Sequence, residues 1–176
     1  MDCPRSRRRI SVLCTFALVA LVAVPVQSAS RYETPPKAIA DLIDAPPTPA
    51  VSVGPTNEWL VLLNQASLPS IAELAEPELR IAGLRINPQT NGRSRQRYFT
   101  GLTLKRISDG SERNVTGLPG DARIGRVRWS PDGDKLAFTL TRDGGVELWY
   151  TDVAGARAKA LTEARLAVVL GSDFEW

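Results

Sequence analysis

Four arginines crowd one short stretch of the sequence: Arg85, Arg93, Arg95 and Arg97 in RINPQTNGRSRQR. A guanidinium group keeps its charge at any working pH, and its planar fork of donors matches a carboxylate bidentately. Such a cluster could anchor an acidic side chain of a ligand, with Arg93 and Arg95 as the expected contacts. The ordinary alternative is a basic loop in water, because runs of charge mostly face solvent. Asp132 and Asp134 are spaced as calcium ligands can be, yet turn chemistry accounts for Asp132 and no metal is expected. Trp129, Trp149 and Tyr150 could line a binding surface, although alternating aromatics in strands more often pack in a core. Asn114-Val115-Thr116 is a glycosylation sequon, a three-residue pattern that arises readily by chance.

What is missing narrows the chemistry further. The chain has no histidine, which excludes a Ser-His-Asp site, a Cys-His site and the commoner zinc sites from it. No G-x-S-x-G nucleophile elbow occurs either. No catalytic residue and no cofactor are therefore expected here.

The first thirty residues read as a secretory signal peptide. Arg5, Arg7, Arg8 and Arg9 form a basic start, ISVLCTFALVALVAVPV an apolar run, and Ser28-Ala29-Ser30 a small-residue exit. The rival is a single transmembrane anchor, but Pro25 and the switch to polar SASRYE favour cleavage. Cys14 follows Val-Leu, which is not the small-residue context of a lipoprotein signal. Export to the periplasm or the medium, with no membrane association after cleavage, is expected. Those four arginines and Asp2 account for the whole formal charge of +3. The remainder is neutral, which gives no support to a nucleic-acid surface. Both cysteines, Cys3 and Cys14, lie in the leader, so the exported part must be held by burial alone.

The elements that would position the arginines are mostly strands. A Pro-rich arm (31–49) opens with a short helix, Thr34 capping, Pro35 in the first turn and Ile39, Leu42 and Ile43 on one face. Ser70 and Glu73 make a capping-box pattern for a second short helix, closed by Pro77. The polar stretch from Arg85 to Arg97 reads as a long loop. Leu136, Phe138 and Leu140 alternate along one strand, and Val146, Leu148 and Tyr150 along the next, with Asp143-Gly144-Gly145 between them as a hairpin signal. RYFTGLTLKRISDGSERNVTGL has the same design around Asp109-Gly110.

The sequence also echoes itself. VRWSPDGDKLAFTL (127–140) overlies VSVGPTNEWLVLLN (51–64), matching Trp129 with Val53, Pro131 with Pro55 and Phe138 with Leu62. DFEW sets Trp176 opposite Trp129. Units of about 40–50 residues with about four strands each are the mark of a β-propeller. Within W-S-P-D-G, Trp129 ends a strand, Ser130, Pro131 and Asp132 shape a tight turn, and Gly133 supplies a positive φ. The expected fold is mainly β: a partial propeller of about two four-stranded antiparallel blades, with short helices at the N-terminus and in a blade insertion. Residues 50–126 form the first blade with its insertion and 127–170 the second. Residues 171–176 are expected to start a third, cut short.

At W-S-P-D-G-D-K-L-A-F the chain resembles the propeller repeats of the prolyl oligopeptidase family and of TolB-type periplasmic propellers. PPKAIADLIDAPPTPAVSVGP, LPSIAELAEPELRIAGLRINPQTNGRSR and YFTGL resemble the start of that family's glutamyl endopeptidase branch. The resemblance implies a C-terminal α/β-hydrolase domain, outside this sequence, that holds the Ser, Asp and His. It also implies peptide substrates, and a propeller that covers the active site and admits only peptides or flexible segments. The arginines would then serve cleavage after Glu. Two other readings stay open: a non-catalytic periplasmic binding module, and a truncated product without a function of its own.

Overall fold

The structure, a computed structural model, describes residues 34–164 and 166–176. The chain divides into two units, Met1–Pro36 and Lys37–Trp176. Of the first, only Thr34–Pro36 is described, so the leader assigned to residues 1–30 lies outside the described residues. In chain order the second unit holds α1 (Lys37–Asp44), β1 (Ala50–Val53), β2 (Trp59–Gln65), α2 (Ile71–Leu74), β3 (Leu79–Ile81), β4 (Leu84–Asn87) and β5 (Gly92–Arg93). There follow β6 (Phe99–Arg106), β7 (Glu112–Asn114), β8 (Arg123–Trp129), β9 (Lys135–Arg142), β10 (Gly145–Asp152) and β11 (Ala158–Ala160).

The fold is mainly antiparallel β. Strands β1-β2-β6-β7 make one four-stranded meander and β8-β9-β10-β11 a second. The pair Phe99–Ile124 joins β6 to β8, and a parallel bridge between Thr116, just after β7, and Arg157, just before β11, links the two meanders a second time. Each meander has the make-up of a propeller blade, and no ring closes among the described residues.

The core follows from the alternation. Trp59, Val61 and Leu63 of β2 point inward, as do Leu102 and Leu104 of β6 and Leu136, Phe138 and Leu140 of β9. Phe138 is wholly excluded from water, and full burial of such a side chain contributes about 2–3 kcal/mol. Trp129 and Trp149 pack on the edge of this cluster, the structural role that aromatics in strands usually play.

The two hairpins that echo each other in sequence share one register. Val53 pairs with Leu60 as Trp129 pairs with Leu136. Their turns match bond for bond: Gly54 N to Trp59 O at 2.8 Å answers Ser130 N to Lys135 O at 2.9 Å, and Asn57 N to Gly54 O answers Gly133 N to Ser130 O, both at 3.0 Å. Asn57 takes the positive φ (58°) that Gly133 takes in the second turn (80°), since Asn tolerates that conformation better than other residues with a Cβ.

Two local expectations are corrected. The stretch read as a long loop is instead part of a small three-stranded sheet, β3-β4-β5. Its first turn, Ala82-Gly83, has φ of 49° and 84°, the two positive values of a type I′ hairpin. Alanine is a poor former of that turn, so the signal was faint. The first helix begins at Lys37 rather than near Pro35, because a residue that precedes a proline is pushed out of the α region. None of its residues is buried, and Ile39, Leu42 and Ile43 are all at least half exposed.

Candidate functional site

The insertion between β2 and β6 delivers the arginines. Ser70 caps α2 by accepting the Glu73 N–H on Oγ at 3.1 Å, and the chain then runs into β3. Glu78, just before that strand, gathers three guanidinium groups: Arg80 Nε at 2.9 Å, Arg85 Nη1 at 3.0 Å and Arg95 Nε at 3.2 Å. The hydrogen bond from Arg80 holds the Glu78 carboxyl below the usual carboxylate range, helped by the charges of Arg85 and Arg95 and opposed by partial burial. Arg95 itself has a φ of 57°, a conformation that costs a non-glycine residue about 1–2 kcal/mol.

Arg93 and Arg95 come together in one cleft of about 510 Å³, with Ser94, Gln96, Arg126, Val168, Gly171 and Asp173 as its other walls. Arg93 Nε donates to Val169 O at 3.1 Å. Arg97 lies outside this cleft and faces a neighbouring one of about 410 Å³, which Arg95, Gln96, Tyr98 and Arg123 also line. Arg85 stays on Glu78. Ser94 Oγ is buried and has no hydrogen-bond partner among the described residues.

Arg126 is the cleft residue that the sequence reading missed. The register of β8 against β9 slips between Ile124 and Val127, so Gly125 and Arg126 form a β-bulge opposite Thr139. A Cβ on Gly125 would stand 2.3 Å from Thr139 Oγ1, which only glycine avoids. A bulge re-aims the side chain beside it, and here Arg126 meets Asp173 Oδ2 with Nε at 3.3 Å and donates to Ser172 Oγ with Nη1 at 3.4 Å. A lone glycine inside a strand pattern was the available signal.

The Ser130–Gly133 turn serves structure. Ser130 Oγ bonds Asp132 Oδ1 and accepts the Lys135 N–H at 2.9 Å. Asp132 Oδ1 also accepts the Asp134 N–H at 3.1 Å. These bonds, Ser130's first, hold the Asp132 carboxyl below its ordinary range. Gly133 packs on Thr56 and Pro55 of the first turn, leaving only 3.2 Å for a Cβ, and Pro131 is exposed. Among the described residues no group of three or more metal-ligating side chains is found. A wider cleft of about 840 Å³ lies beside these turns. Arg106 and Arg113 stack on Trp59 there at 5.2 and 5.0 Å from the ring centre, and Arg113 Nη1 donates to Ala154 O at 2.9 Å.

No protein-family model matches the chain. Among curated proteins it is 39% identical over 140 residues to a probable chloroplastic glutamyl endopeptidase of Oryza sativa subsp. japonica, covering 74% of this chain and 15% of that protein. The probable chloroplastic glutamyl endopeptidase of Arabidopsis thaliana is 37% identical over 153 residues, covering 82% and 16%. Among solved structures, the acylaminoacyl peptidase of Pyrococcus horikoshii aligns with a TM-score of 0.40 and 14% identity, over 71% of this chain and 15% of that one. TolB of Acinetobacter baumannii aligns with a TM-score of 0.27 and 18% identity, over 92% and 38%. The chain thus spans about a sixth of the length of the curated relatives it matches. By this sequence relationship the chain is homologous to one stretch of the glutamyl endopeptidases, and its own described strands form an antiparallel β region.

Proposed function

We propose that the chain is the N-terminal propeller region of an exported serine-type peptidase, in which it gates or orients peptide substrates. Hydrolysis by acyl transfer falls to an α/β-hydrolase domain that supplies the Ser, Asp and His. The chain itself is non-catalytic, consistent with its lack of histidine, and its partner is the peptide. Export rests on the basic-apolar-small order of the first thirty residues.

The observation that carries the substrate reading is the meeting of Arg93, Arg95 and Arg126 in one cleft. Three guanidinium groups around a space of that size suit an acidic side chain, which each can hold bidentately. The test is a peptidase assay of the complete gene product on paired substrates that differ only as Glu or Gln. Replacing Arg93 and Arg126 by alanine should lower kcat/KM for the Glu substrate about tenfold or more and leave the Gln substrate within about twofold. Equal losses on both substrates would remove the arginines from specificity.

A further inference from the structure

The arginine cleft already contains a carboxylate, and it is the protein's own. Asp173, whose side chain is only 13% exposed, pairs with Arg126 across 3.3 Å. Its neighbour Ser172 takes the second Arg126 contact at 3.4 Å, and Val169 O takes Arg93 at 3.1 Å. One short segment thus occupies two of the three guanidinium groups that line the cleft.

The balance of charge remains positive even so. Arg80, Arg85, Arg93, Arg95 and Arg126 lie on these linked networks against two carboxylates, Glu78 and Asp173. Exchange of one carboxylate for another at Arg126 leaves no charge stranded, which keeps the cost of opening low.

We propose that Asp173 is an internal occupant of a carboxylate site, and that an acidic peptide side chain binds by displacing it from Arg126. The proposal rests on the acidic-ligand reading of the cleft given above. An occupant of this kind lowers apparent affinity by the fraction of molecules in which it is seated.

The test uses the full 176-residue chain and two probes, acetyl-Ala-Glu-Ala-amide and its Gln counterpart, followed by titration calorimetry. Asp173→Asn keeps the shape and removes the charge, and should bind the Glu peptide about three- to tenfold more tightly than the parent chain. Binding of the Gln peptide should not change. Equal affinity of the two proteins for the Glu peptide overturns the role of Asp173, even if Arg126→Ala still abolishes the preference for Glu. Loss of any Glu preference in both proteins overturns the cleft reading and the proposal with it. Should Asp173→Asn fold poorly, the unaltered chain decides: the Glu peptide should speed amide hydrogen exchange over residues 171–175 and the Gln peptide should not. Unaltered exchange with both overturns the proposal.

Discussion

Trp129 donates its indole Nε1–H to Ser52 Oγ at 3.2 Å, fastening the last residue of β8 to the first strand of the other meander. Gly54 sits beside the same ring: a Cβ there would be in ordinary contact with Trp129 carbons at 3.5 Å, while its tight neighbour would be the Trp59 carbonyl oxygen at 3.1 Å. The contact spans 77 residues of sequence and, with the core beneath it, sets how the two four-stranded sets meet. Trp129→Phe should cost about 1 kcal/mol for the lost hydrogen bond, and Trp129→Ala about 3 kcal/mol for the lost packing. Urea unfolding of the two variants beside Ser52→Ala checks this. Ser52→Ala should match Trp129→Phe, and combining those two should add little.

Gly125→Ala should destabilise the chain by about 2–3 kcal/mol, because its methyl group meets Thr139 Oγ1 inside a buried strand pair. Thr139→Ala in the same molecule removes the clashing oxygen and should recover more than half of the loss. Thermal unfolding of the four proteins of this cycle measures the coupling. Additive losses would show that the bulge needs glycine for another reason.

Ala82→Asn should stabilise the chain by about 0.5–1 kcal/mol. Ala82 sits at a φ of 49° in a type I′ turn, where Asn-Gly is the favoured pair. A rise in melting temperature is the expected result. A fall would mean that the methyl group packs on something of value.

Glu78 makes stability depend on pH in the acid range. Its carboxyl is held below the ordinary carboxylate value by Arg80 first, then by Arg85 and Arg95. The folded chain therefore binds this proton less readily than the unfolded one. Stability from this group is fully present above the unfolded value of about 4.3, and is lost as pH falls toward and through the lower folded value. Glu78→Gln should flatten that part of the acid limb in unfolding measurements from pH 6 down to about pH 2. An acid limb identical to that of the parent chain would contradict the assignment.

Much of the β framework could be read from residue types. Leu136, Phe138 and Leu140 alternate, Asp109-Gly110 and Asp143-Gly144-Gly145 mark turns, and Ser70 with Glu73 announces α2; these local signals agree with the structure. The β3-β4-β5 sheet was harder to read because its strands are two to four residues long and its turn uses alanine. Arg93 and Arg95 drew notice by sheer density of charge. Arg126 did not, since a single arginine in a strand looks like any solvent-facing position until the bulge turns it. Asp173 was hidden for a different reason: its partner lies 47 residues away, and no local pattern encodes that distance. Ile39, Leu42 and Ile43 form the expected apolar stripe on α1, yet the stripe stays exposed, so periodicity revealed the helix and not its packing.

The two matched turns carry a lesson for tracing this architecture through diverged chains. GPTNEW and SPDGDK share little spelling, yet each closes with the same pair of backbone bonds, one across five residues and one across three. What has been kept is a wiring diagram, and the letters are free to drift wherever another residue can hold the same two wires. A profile built on the wording W-S-P-D-G would pass over the corner at Gly54. One that asks for a five-residue return, with a left-handed residue three places in, would find both.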